Sequence, residues 1–382
     1  MHYLDHSATT PLIPEARDAV LASLDDETFG NPSSVHAAGR RAREVVEIAR
    51  ERVAGAIGAS PAEIVFTGGG TEADNLAIKG TAEKLRAHGN HIVTTTFEHH
   101  AVLDSFHFLE RHGYEATYVE ADSSGVVDPQ RVAAAVRPGT ILVSVMTVNN
   151  EIGTIQPMAE IVRAVKDVNR NTLVHTDAVQ ALGKIPVDVH AWGVDLAAFA
   201  AHKLGGPKGT GALFVRSHVP VEALIHGGGH EHGFRSGTLN VAGIAGFGVA
   251  AELSAKDVEG EAERLRALRD RLLEGIRGIE PDASVNGDVE HRVAGNLNVS
   301  IPGADGETLL LLLDQAGIAC STGSACQSGA ADPSHVLLSI GVSKELANAS
   351  LRFTLGRTSV EDDVDAALAA LPEAIARSRK VA

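Results

Sequence analysis

Short apolar runs alternate with longer stretches of mixed polarity between about residue 60 and residue 215. The runs are rich in β-branched side chains and are apolar at successive positions, as expected when both faces of a strand are buried. This alternation predicts an α/β domain with a mainly parallel sheet sandwiched by helices, whose ligands bind beyond the carboxyl ends of the strands. The predicted strands are 63–66, 91–96, 116–120, 141–146, 173–177, 195–199 and 212–215.

The pattern changes after this unit. Residues 251–277 are expected to form one charged helix, because leucines recur there at helical spacing between charged side chains. We expect a large α/β domain of residues 13–258 and a smaller α+β domain that combines residues 1–12 with residues 259–382. The smaller domain is predicted to contain a strand at 295–301, a helix at 306–315, a strand end at 318–320 and an acidic helix from about residue 360.

Composition narrows the class of protein. The 382 residues suit two domains, and 44% hydrophobic with 21% charged residues is ordinary for a globular chain. The formal net charge of −16 disfavours direct binding to nucleic acid or to an anionic membrane surface. Two cysteines are too few for a disulfide framework, and no apolar stretch approaches the roughly 20 residues of a membrane span. We therefore expect a cytoplasmic protein.

A glycine turn at residues 68–70 follows the first predicted strand and precedes a helix start at Thr71. Backbone N–H groups at a helix N-terminus, together with a threonine hydroxyl, form a site for a phosphate group. No Gly-Lys-Ser/Thr sequence follows, so the turn is not a nucleotide P-loop. The alternative is a tight connection without a ligand.

Three polar side chains follow the ends of predicted strands. His99 can stack on a flat cofactor ring and move protons near neutral pH, although a surface histidine in a turn, our interpretation of His100, is the alternative. Asp177 is placed to keep a pyridinium nitrogen protonated, or else to cap a helix. Gln180, one helical turn further on, can hydrogen-bond to a phenolate oxygen.

Lys203 follows an apolar run and precedes a pair of glycines. A lysine amine forms a Schiff base with a carbonyl only when it is unprotonated, and burial beside other cations favours that state. The alternative is a solvated surface lysine, which is our interpretation of the neighbouring Lys208. Lys203 is the residue on which the functional interpretation mainly depends.

The remaining candidates lie in the C-terminal third. Cys326 lies among small residues, as suits a reactive thiol that has to reach a substrate, whereas Cys320 ends an apolar run and is interpreted as a buried, inert thiol. Arg352 alternates with apolar residues in a predicted strand. Its planar guanidinium suits bidentate capture of an α-carboxylate, and an ion pair with an acidic side chain is the alternative.

Three histidines, His226, His230 and His232, lie within seven residues of one another. This spacing suggests a metal site, but the intervening glycines do not form the helix that fixes such ligands. No carboxylate or thiol is clearly placed to complete the coordination. We therefore predict no metal, and we interpret residues 235–238 as an oxyanion-binding turn.

Taken in order, these segments resemble the group I (NifS/IscS-like) cysteine desulfurases of the class V aminotransferase superfamily, which are fold-type-I pyridoxal-phosphate enzymes. Each segment alone is weak evidence, but their order and spacing together are specific and run nearly from end to end. The fold class implied is that of the fold-type-I pyridoxal-phosphate-dependent transferases. The resemblance rests on residues 3–11, 29–33, 71–76, 98–99, 148–153, 177–180, 202–203, 226–231, 235–238 and 324–326.

The resemblance implies a role for each candidate residue. Pyridoxal 5′-phosphate is bound covalently by Lys203, and His99 stacks on its ring. Asp177 contacts the pyridine nitrogen and Gln180 the phenolate oxygen. The other implied roles are phosphate binding by Gly70, Thr71, His202 and, across an obligatory homodimer interface, Thr238; cofactor and substrate binding by Asn150; capture of the substrate carboxylate by Arg352; and uptake of sulfur as a persulfide by Cys326.

The implied reaction removes sulfur from L-cysteine, releases L-alanine and passes the sulfur to an acceptor protein. That acceptor is an iron–sulfur scaffold or an enzyme that thiolates tRNA or modifies DNA, and the sequence leaves this choice open. Three other functions stay open: another class V enzyme such as an aminotransferase or selenocysteine lyase, an inactive scaffold protein, and a metallohydrolase built on the histidines. The cysteine-bearing segment disfavours the first of these, and the intact set of lysine, aspartate, histidine and cysteine disfavours the second.

One departure from the family pattern yields a prediction. The chain has Ala200 where its relatives usually have a serine, so a hydroxyl donor to the cofactor phosphate is missing. We expect Ala200→Ser to bind pyridoxal 5′-phosphate more tightly by about 1.5–3 kcal/mol, one hydrogen bond to a charged group. Equilibrium dialysis of the two proteins measures the difference, and equal affinities would contradict the expectation.

Overall fold

The computed structural model describes residues 1–25, 28–322 and 333–380. Each apolar run predicted between residues 60 and 215 forms a strand, and each strand end lies within two residues of its predicted position. The strands are β1 (His2–Tyr3), β2 (Ile64–Thr67), β3 (His91–Thr95), β4 (Glu115–Val119), β5 (Thr140–Ser144), β6 (Leu173–Asp177), β7 (Leu196–Ala200), β8 (Gly211–Val215), β9 (Ser284–Val285), β10 (Asn296–Ser300), β11 (Ile318–Ala319) and β12 (Ser350–Thr354).

Helices occupy most of the chain between the strands. Short 3₁₀ turns at Pro61–Glu63, Ala201–Lys203 and Glu231–Gly233 and a π-helical turn at Leu76–Gly80 complete the described elements. The α-helices are α1 (Pro14–Ala22), α2 (Ala37–Ala56), α3 (Gly70–Asn75), α4 (Thr81–Leu85), α5 (His100–Glu110), α6 (Pro129–Ala135), α7 (Met158–Val168), α8 (Val189–Trp192), α9 (Val241–Ala255), α10 (Val258–Ile279), α11 (Gly306–Gln315), α12 (His335–Ser339), α13 (Lys344–Asn348) and α14 (Glu361–Ser378).

The large sheet is mainly parallel, as predicted. Within the described residues it has seven strands in the order β2-β8-β7-β6-β5-β3-β4, and β8 runs antiparallel to both of its neighbours. The carboxyl ends of β6 and β7 lie side by side, because Asp177 pairs with Ala198 in a parallel register. This register brings the residues that follow β7, including Lys203, close to Asp177.

The predicted single helix at 251–277 is wrong. The chain forms α9 and α10 there, with a break at which Asp257 caps α10 by accepting a hydrogen bond from the N–H of Gly260 at 3.1 Å. Helix α9 is apolar all round and packs closely against α2, where a Cβ on Gly248 would lie 2.7 Å from the Cα of Ala49. A helix with no polar face has no amphipathic period, so the pattern did not reveal where it begins.

The C-terminal third contains its own hydrophobic cluster, which includes Leu272, Leu297, Phe353 and Leu371. The N-terminal Leu4 belongs to the same cluster, and β1 pairs with β11 in parallel. An antiparallel sheet in the order β12-β10-β9 lies beside it. The division into domains at residues 12–13 and 258–259 stays a prediction.

None of the helices in the described part of the chain combines the length and the apolar character that crossing a membrane requires.

Candidate active site

Lys203 ends a 3₁₀ turn directly after β7 and is half-buried. Its Nζ donates hydrogen bonds to the carbonyl oxygens of Ser7 at 2.6 Å and Ala8 at 2.7 Å. The same N-terminal segment is bound to this turn a second time, because the Thr10 hydroxyl donates to the carbonyl oxygen of His202 at 2.8 Å. Lys203 is therefore held in place within the fold and is not the solvated surface lysine of the alternative interpretation.

Asp177 is buried at the end of β6. Its Oδ1 accepts a hydrogen bond from the N–H of Val179 at 2.9 Å, which is the local contact expected of a capping residue. Burial raises the pKa of this carboxyl group, whereas the positive charge of His99, that N–H group and the charge of Lys203 lower it. A cationic partner such as a pyridinium nitrogen would relieve the cost of keeping this carboxylate charged.

His99 caps the N-terminus of α5. Its Nδ1 accepts a hydrogen bond from the N–H of Ala101 at 3.1 Å, so the neutral ring carries its proton on Nε2. Burial lowers the pKa of His99, the charge of Asp177 raises it, and the charge of Lys203 lowers it again. The structure thus brings His99, Asp177 and Lys203 within electrostatic reach of one another, as the sequence predicted.

Gln180 is buried and joins the same group through its side-chain amide. Its Nε2 donates to the carbonyl oxygen of Ser7 at 2.9 Å, the oxygen that also accepts from Lys203. Its Oε1 accepts a short hydrogen bond from the Nζ of Lys184, a residue that the sequence analysis did not single out. Lys184 lies four residues after Gln180 in the turn that follows β6, and this short spacing was the signal that could have identified it.

A cavity of about 800 Å³ lies at the N-terminus of α3. Its lining includes residues 68–71, His202, Lys208 and Arg235. The sequence predicts that all of these lie near an anion except Lys208, which we interpret from the sequence as a surface lysine. Lys208 is exposed, but it also forms part of the cavity wall. Burial, followed by the charges of Lys203, Lys208 and Lys184, lowers the pKa of His202 to about 4. The cavity is therefore bordered by helix N–H groups and cationic side chains, with Glu72 bound to Arg235 at 2.9 Å.

Close packing at Gly70 leaves no room for a side chain. A Cβ there would lie 2.6 Å from Cγ2 of Val179 and 3.5 Å from the methyl group of Ala200. The start of α3 therefore packs directly against Val179 and lies near Ala200, while Gly70 also lines the cavity. Together with the buried Asp177 and with Lys203, this arrangement fits pyridoxal 5′-phosphate: an anion site, a partner for a ring nitrogen and an amine for an aldehyde.

Arg352 is buried in β12, and the structure shows the ion pair of the alternative interpretation. Its Nη2 lies 2.8 Å from Oδ1 of Asp5, and its Nη1 donates to the carbonyl oxygen of Asn150 at 3.0 Å. Its Nε is buried and has no hydrogen-bond partner among the described residues. The guanidinium is thus oriented by Asp5 and Asn150, and Asp5, at the other end of the chain, was missed although its segment was part of the resemblance.

Glu98 is a buried carboxyl group that the sequence analysis gave no role. Its Oε1 accepts hydrogen bonds from the hydroxyl of Thr95 at 2.7 Å and the N–H of Met146 at 2.9 Å. Burial raises its pKa to about 8, the two hydrogen bonds oppose this rise, and the negative charge of Asp177 adds to it. Glu98 therefore lies next to the site in a form that is mostly protonated at neutral pH.

Cys326 lies outside the described residues. The described chain on either side of it is bound to residues of the site: Ser321 and Arg352 exchange backbone hydrogen bonds of 3.1 and 2.6 Å, and Nε2 of His335 lies 2.9 Å from the carbonyl oxygen of Glu98. The other cysteine, Cys320, is buried, and burial raises the pKa of its thiol to about 12. Its burial agrees with the interpretation of Cys320 as a buried thiol, and its inertness stays a prediction.

One buried acidic side chain attaches the histidine-rich turn to the rest of the fold. Glu231 is buried, forms two 2.8 Å contacts with the guanidinium of Arg50 and accepts the N–H of Phe66 at 2.6 Å. His230 accepts the N–H of Gly237 at 3.2 Å through Nδ1. In the part of the chain that the structure describes, no group of three or more His, Cys, Asp or Glu side chains could hold a metal ion.

The sequence matches the aminotransferase class-V family model over residues 2–367. A cysteine desulfurase IscS from Anaeromyxobacter dehalogenans (strain 2CP-C) is 50% identical over 381 residues, covering 99% of this chain and 93% of that protein. A cysteine desulfurase IscS from Dictyoglomus turgidum is 48% identical, covering 99% of this chain and 95% of the relative. A solved NifS-like protein has a TM-score of 0.93 and 39% identity, covering 98% of this chain and 99% of that one. The similarity therefore extends over whole chains.

Glu98→Gln should alter how stability depends on pH. Because folding raises the pKa of Glu98 from its ordinary value of 4.5 to about 8, the folded protein binds an extra proton between those values. The wild type should therefore lose stability as pH rises through this window, by up to about 5 kcal/mol, whereas the glutamine variant should not lose this contribution. Denaturant unfolding of both proteins between pH 5 and 8.5 measures the difference, and parallel curves would show that Glu98 is not protonated by folding.

Proposed function

The chain belongs to the class-V aminotransferase family and is a pyridoxal-phosphate-dependent cysteine desulfurase, and on that premise we propose how its own residues divide the reaction. The observation that carries the proposal is the position of Lys203 just after β7, beside the buried carboxyl group of Asp177 and next in sequence to His202, which lines the cavity at α3. No other part of the described chain combines an amine, a buried carboxylate and an anion site in this way.

The cofactor ring is held by four side chains in this proposal. Lys203 binds the aldehyde carbon, and Asp177 keeps the ring nitrogen protonated. His99 stacks on the ring, supported by its fixed position as the cap of α5. Gln180 donates to the phenolate oxygen through the amide NH₂ group that points toward Lys203. The phosphate is bound by Gly70, Thr71 and His202, with Asn150 completing the cofactor contacts.

The substrate is oriented through its carboxylate. Arg352 binds that group with the part of its guanidinium that Asp5 and Asn150 leave available, and its unpartnered Nε supports this role. A guanidinium that Asp5 and Asn150 already hold in place loses little rotamer freedom when the substrate binds. Asp5 thus acts as a positioning residue, because it contacts Arg352 and not the substrate.

Proton and sulfur movements follow from these positions. The bound cofactor supplies an electron sink for the charge that develops when the substrate Cα loses its proton. Lys203, the amine beside Asp177, would accept that proton and return it. The thiolate of Cys326 attacks the substrate sulfur, so that an S–S bond forms and the Cβ–S bond breaks. The electron pair of the broken bond takes up a proton at carbon, and L-alanine and an enzyme persulfide result.

A second copy of the chain completes the site. Leu24, Phe29 and Val35 lie close together in sequence and are exposed by 68%, 74% and 85%, and exposed apolar side chains that form one patch mark interaction sites. Thr238 is exposed and, among the described residues, does not line the cavity of its own chain, although Arg235 in the same loop does. We assign these apolar residues to a homodimer interface across which Thr238 of the partner subunit binds the phosphate.

The persulfide sulfur passes to an acceptor protein. An iron–sulfur scaffold or a thiolation enzyme suits this role, and the net charge of −16 favours a protein over nucleic acid as the direct acceptor. The cytoplasm, where free thiols stay reduced, is the compartment that suits this chemistry. Transfer of ³⁵S from the charged enzyme to candidate acceptors of each class distinguishes them.

Cys326→Ser should abolish the persulfide and the release of alanine from L-cysteine while leaving the absorbance of the bound cofactor unchanged, because the serine hydroxyl cannot accept sulfur. Intact-protein mass spectrometry after incubation with L-cysteine detects the added sulfur. Cys320→Ala is the matched control, since the buried thiol of Cys320 should not carry sulfur. Alanine release by the serine variant at the wild-type rate would refute the role of Cys326.

Replacing Phe29 and Val35 with glutamate should dissociate the dimer and weaken cofactor binding, because the phosphate loses Thr238 of the partner subunit. Light scattering should then report a species of about 39.8 kDa in place of one twice that mass. Val360→Glu is the control, since Val360 is also an exposed valine, at 55%, but lies at the start of α14. A dimer that survives both substitutions would contradict the proposed interface.

A further inference from the structure

Lys184 lies in the turn between β6 and α8 and has no part in the proposed reaction. Its Nζ donates to Oε1 of Gln180, and its side chain borders a cavity of about 190 Å³ that Lys203 borders as well. Burial, followed by the charges of Lys203 and Arg352, lowers the pKa of Lys184 to about 7. A lysine in such a place is costly to keep charged, so its contact with Gln180 requires an explanation.

The two ends of a glutamine amide differ chemically. The oxygen only accepts hydrogen bonds and the NH₂ group only donates them, whereas a lysine ammonium only donates. In the structure Nζ of Lys184 is the donor, so the oxygen of Gln180 faces Lys184. Its NH₂ group then faces the opposite side, where it donates to the carbonyl oxygen of Ser7 at 2.9 Å.

The NH₂ group of Gln180 lies on the side of Lys203. The carbonyl oxygen of Ser7 accepts from both Gln180, at 2.9 Å, and Nζ of Lys203, at 2.6 Å. The NH₂ group and the reactive amine are thus neighbours that share one acceptor. If the amide turned over, a carbonyl oxygen would lie at this point and would repel an anionic ligand atom.

We propose that Lys184 is a positioning residue that locks the amide of Gln180, so that a donor and never an acceptor faces the phenolate oxygen of the cofactor. This inference rests on the proposed function, because it assigns the phenolate contact to Gln180. Lys184 acts through Gln180 and does not touch substrate or cofactor in this role.

The charges around Lys184 set the direction of a second, weaker effect. The cations that act on Lys184 are Lys203 and Arg352. The cavity that Lys184 borders is also lined by His6 and by the acidic residues Asp257 and Glu261. When Lys184 is charged, it disfavours further protonation of the lysine-bound cofactor. Loss of the charge and loss of the amide lock therefore both raise the pH at which the bound cofactor titrates.

Lys184→Met is the central variant, because methionine keeps an unbranched side chain but has no donor. The absorbance of the reconstituted protein is titrated with pH, and we expect the midpoint to rise by about one unit, as for the loss of one charge-assisted contact. The dissociation constant for pyridoxal 5′-phosphate, measured by dialysis, should rise about tenfold. Lys184→Arg retains charge and donors and should restore both values.

A double-mutant cycle tests whether Lys184 acts through Gln180. Adding Lys184→Met to Gln180→Leu should change the midpoint only by the weaker direct effect of the lost charge, because the leucine has no amide to orient. Thermal unfolding of the apoproteins reports whether each variant folds, and Lys184→Leu, which also has no donor, replaces the methionine variant if that one does not.

The outcomes separate the inference from the function on which it rests. A midpoint raised by methionine, restored by arginine and shifted in the double variant by less than the sum of the two single shifts supports the lock. An unchanged midpoint in Lys184→Met, or fully additive shifts in the cycle, overturns the lock while the proposed function stands. A wild-type protein that forms no lysine-bound chromophore overturns both.

Discussion

The parallel pairing of β6 with β7 is the constraint on which the site depends. Because Asp177 pairs with Ala198, the carboxyl end of β6 lies directly beside the last residues of β7. The chain turns once through Ala201–Lys203, and this single turn brings the lysine next to the carboxylate. A shift in this register would separate the amine of Lys203 from the carboxyl group of Asp177.

Burial then sets the protonation of the groups at this edge. Desolvation raises the pKa of Asp177 and Glu98 and lowers that of His99 and His202, so neutral forms are favoured before any ligand binds. A positively charged ring nitrogen and a phosphate anion reverse this balance where they bind. Cofactor binding therefore changes the protonation of these side chains as well as their contacts.

The N-terminal segment ties the two halves of the active site together. The carbonyl oxygen of Ser7 binds Lys203 and Gln180 on the large sheet, while Asp5 binds Arg352 on the small one. Because one short segment makes both sets of contacts, the distance between Lys203 and Arg352 is set by only a few residues. Lys184 extends this arrangement by one further hydrogen bond, to Gln180.

The sequence by itself determined the strands of the large sheet, since helices cover both faces and leave uninterrupted apolar runs, and it determined the candidates at their ends, since Lys203, Asp177 and His99 follow those runs directly. It did not determine where α9 begins, because a helix that is apolar all round has no period. Only the tertiary structure decided the contacts of Asp5, Glu98 and Lys184. Hydrogen bonds such as that between Arg352 and Asp5 join residues 347 positions apart, and desolvation depends on what packs around a group, so local sequence carries neither.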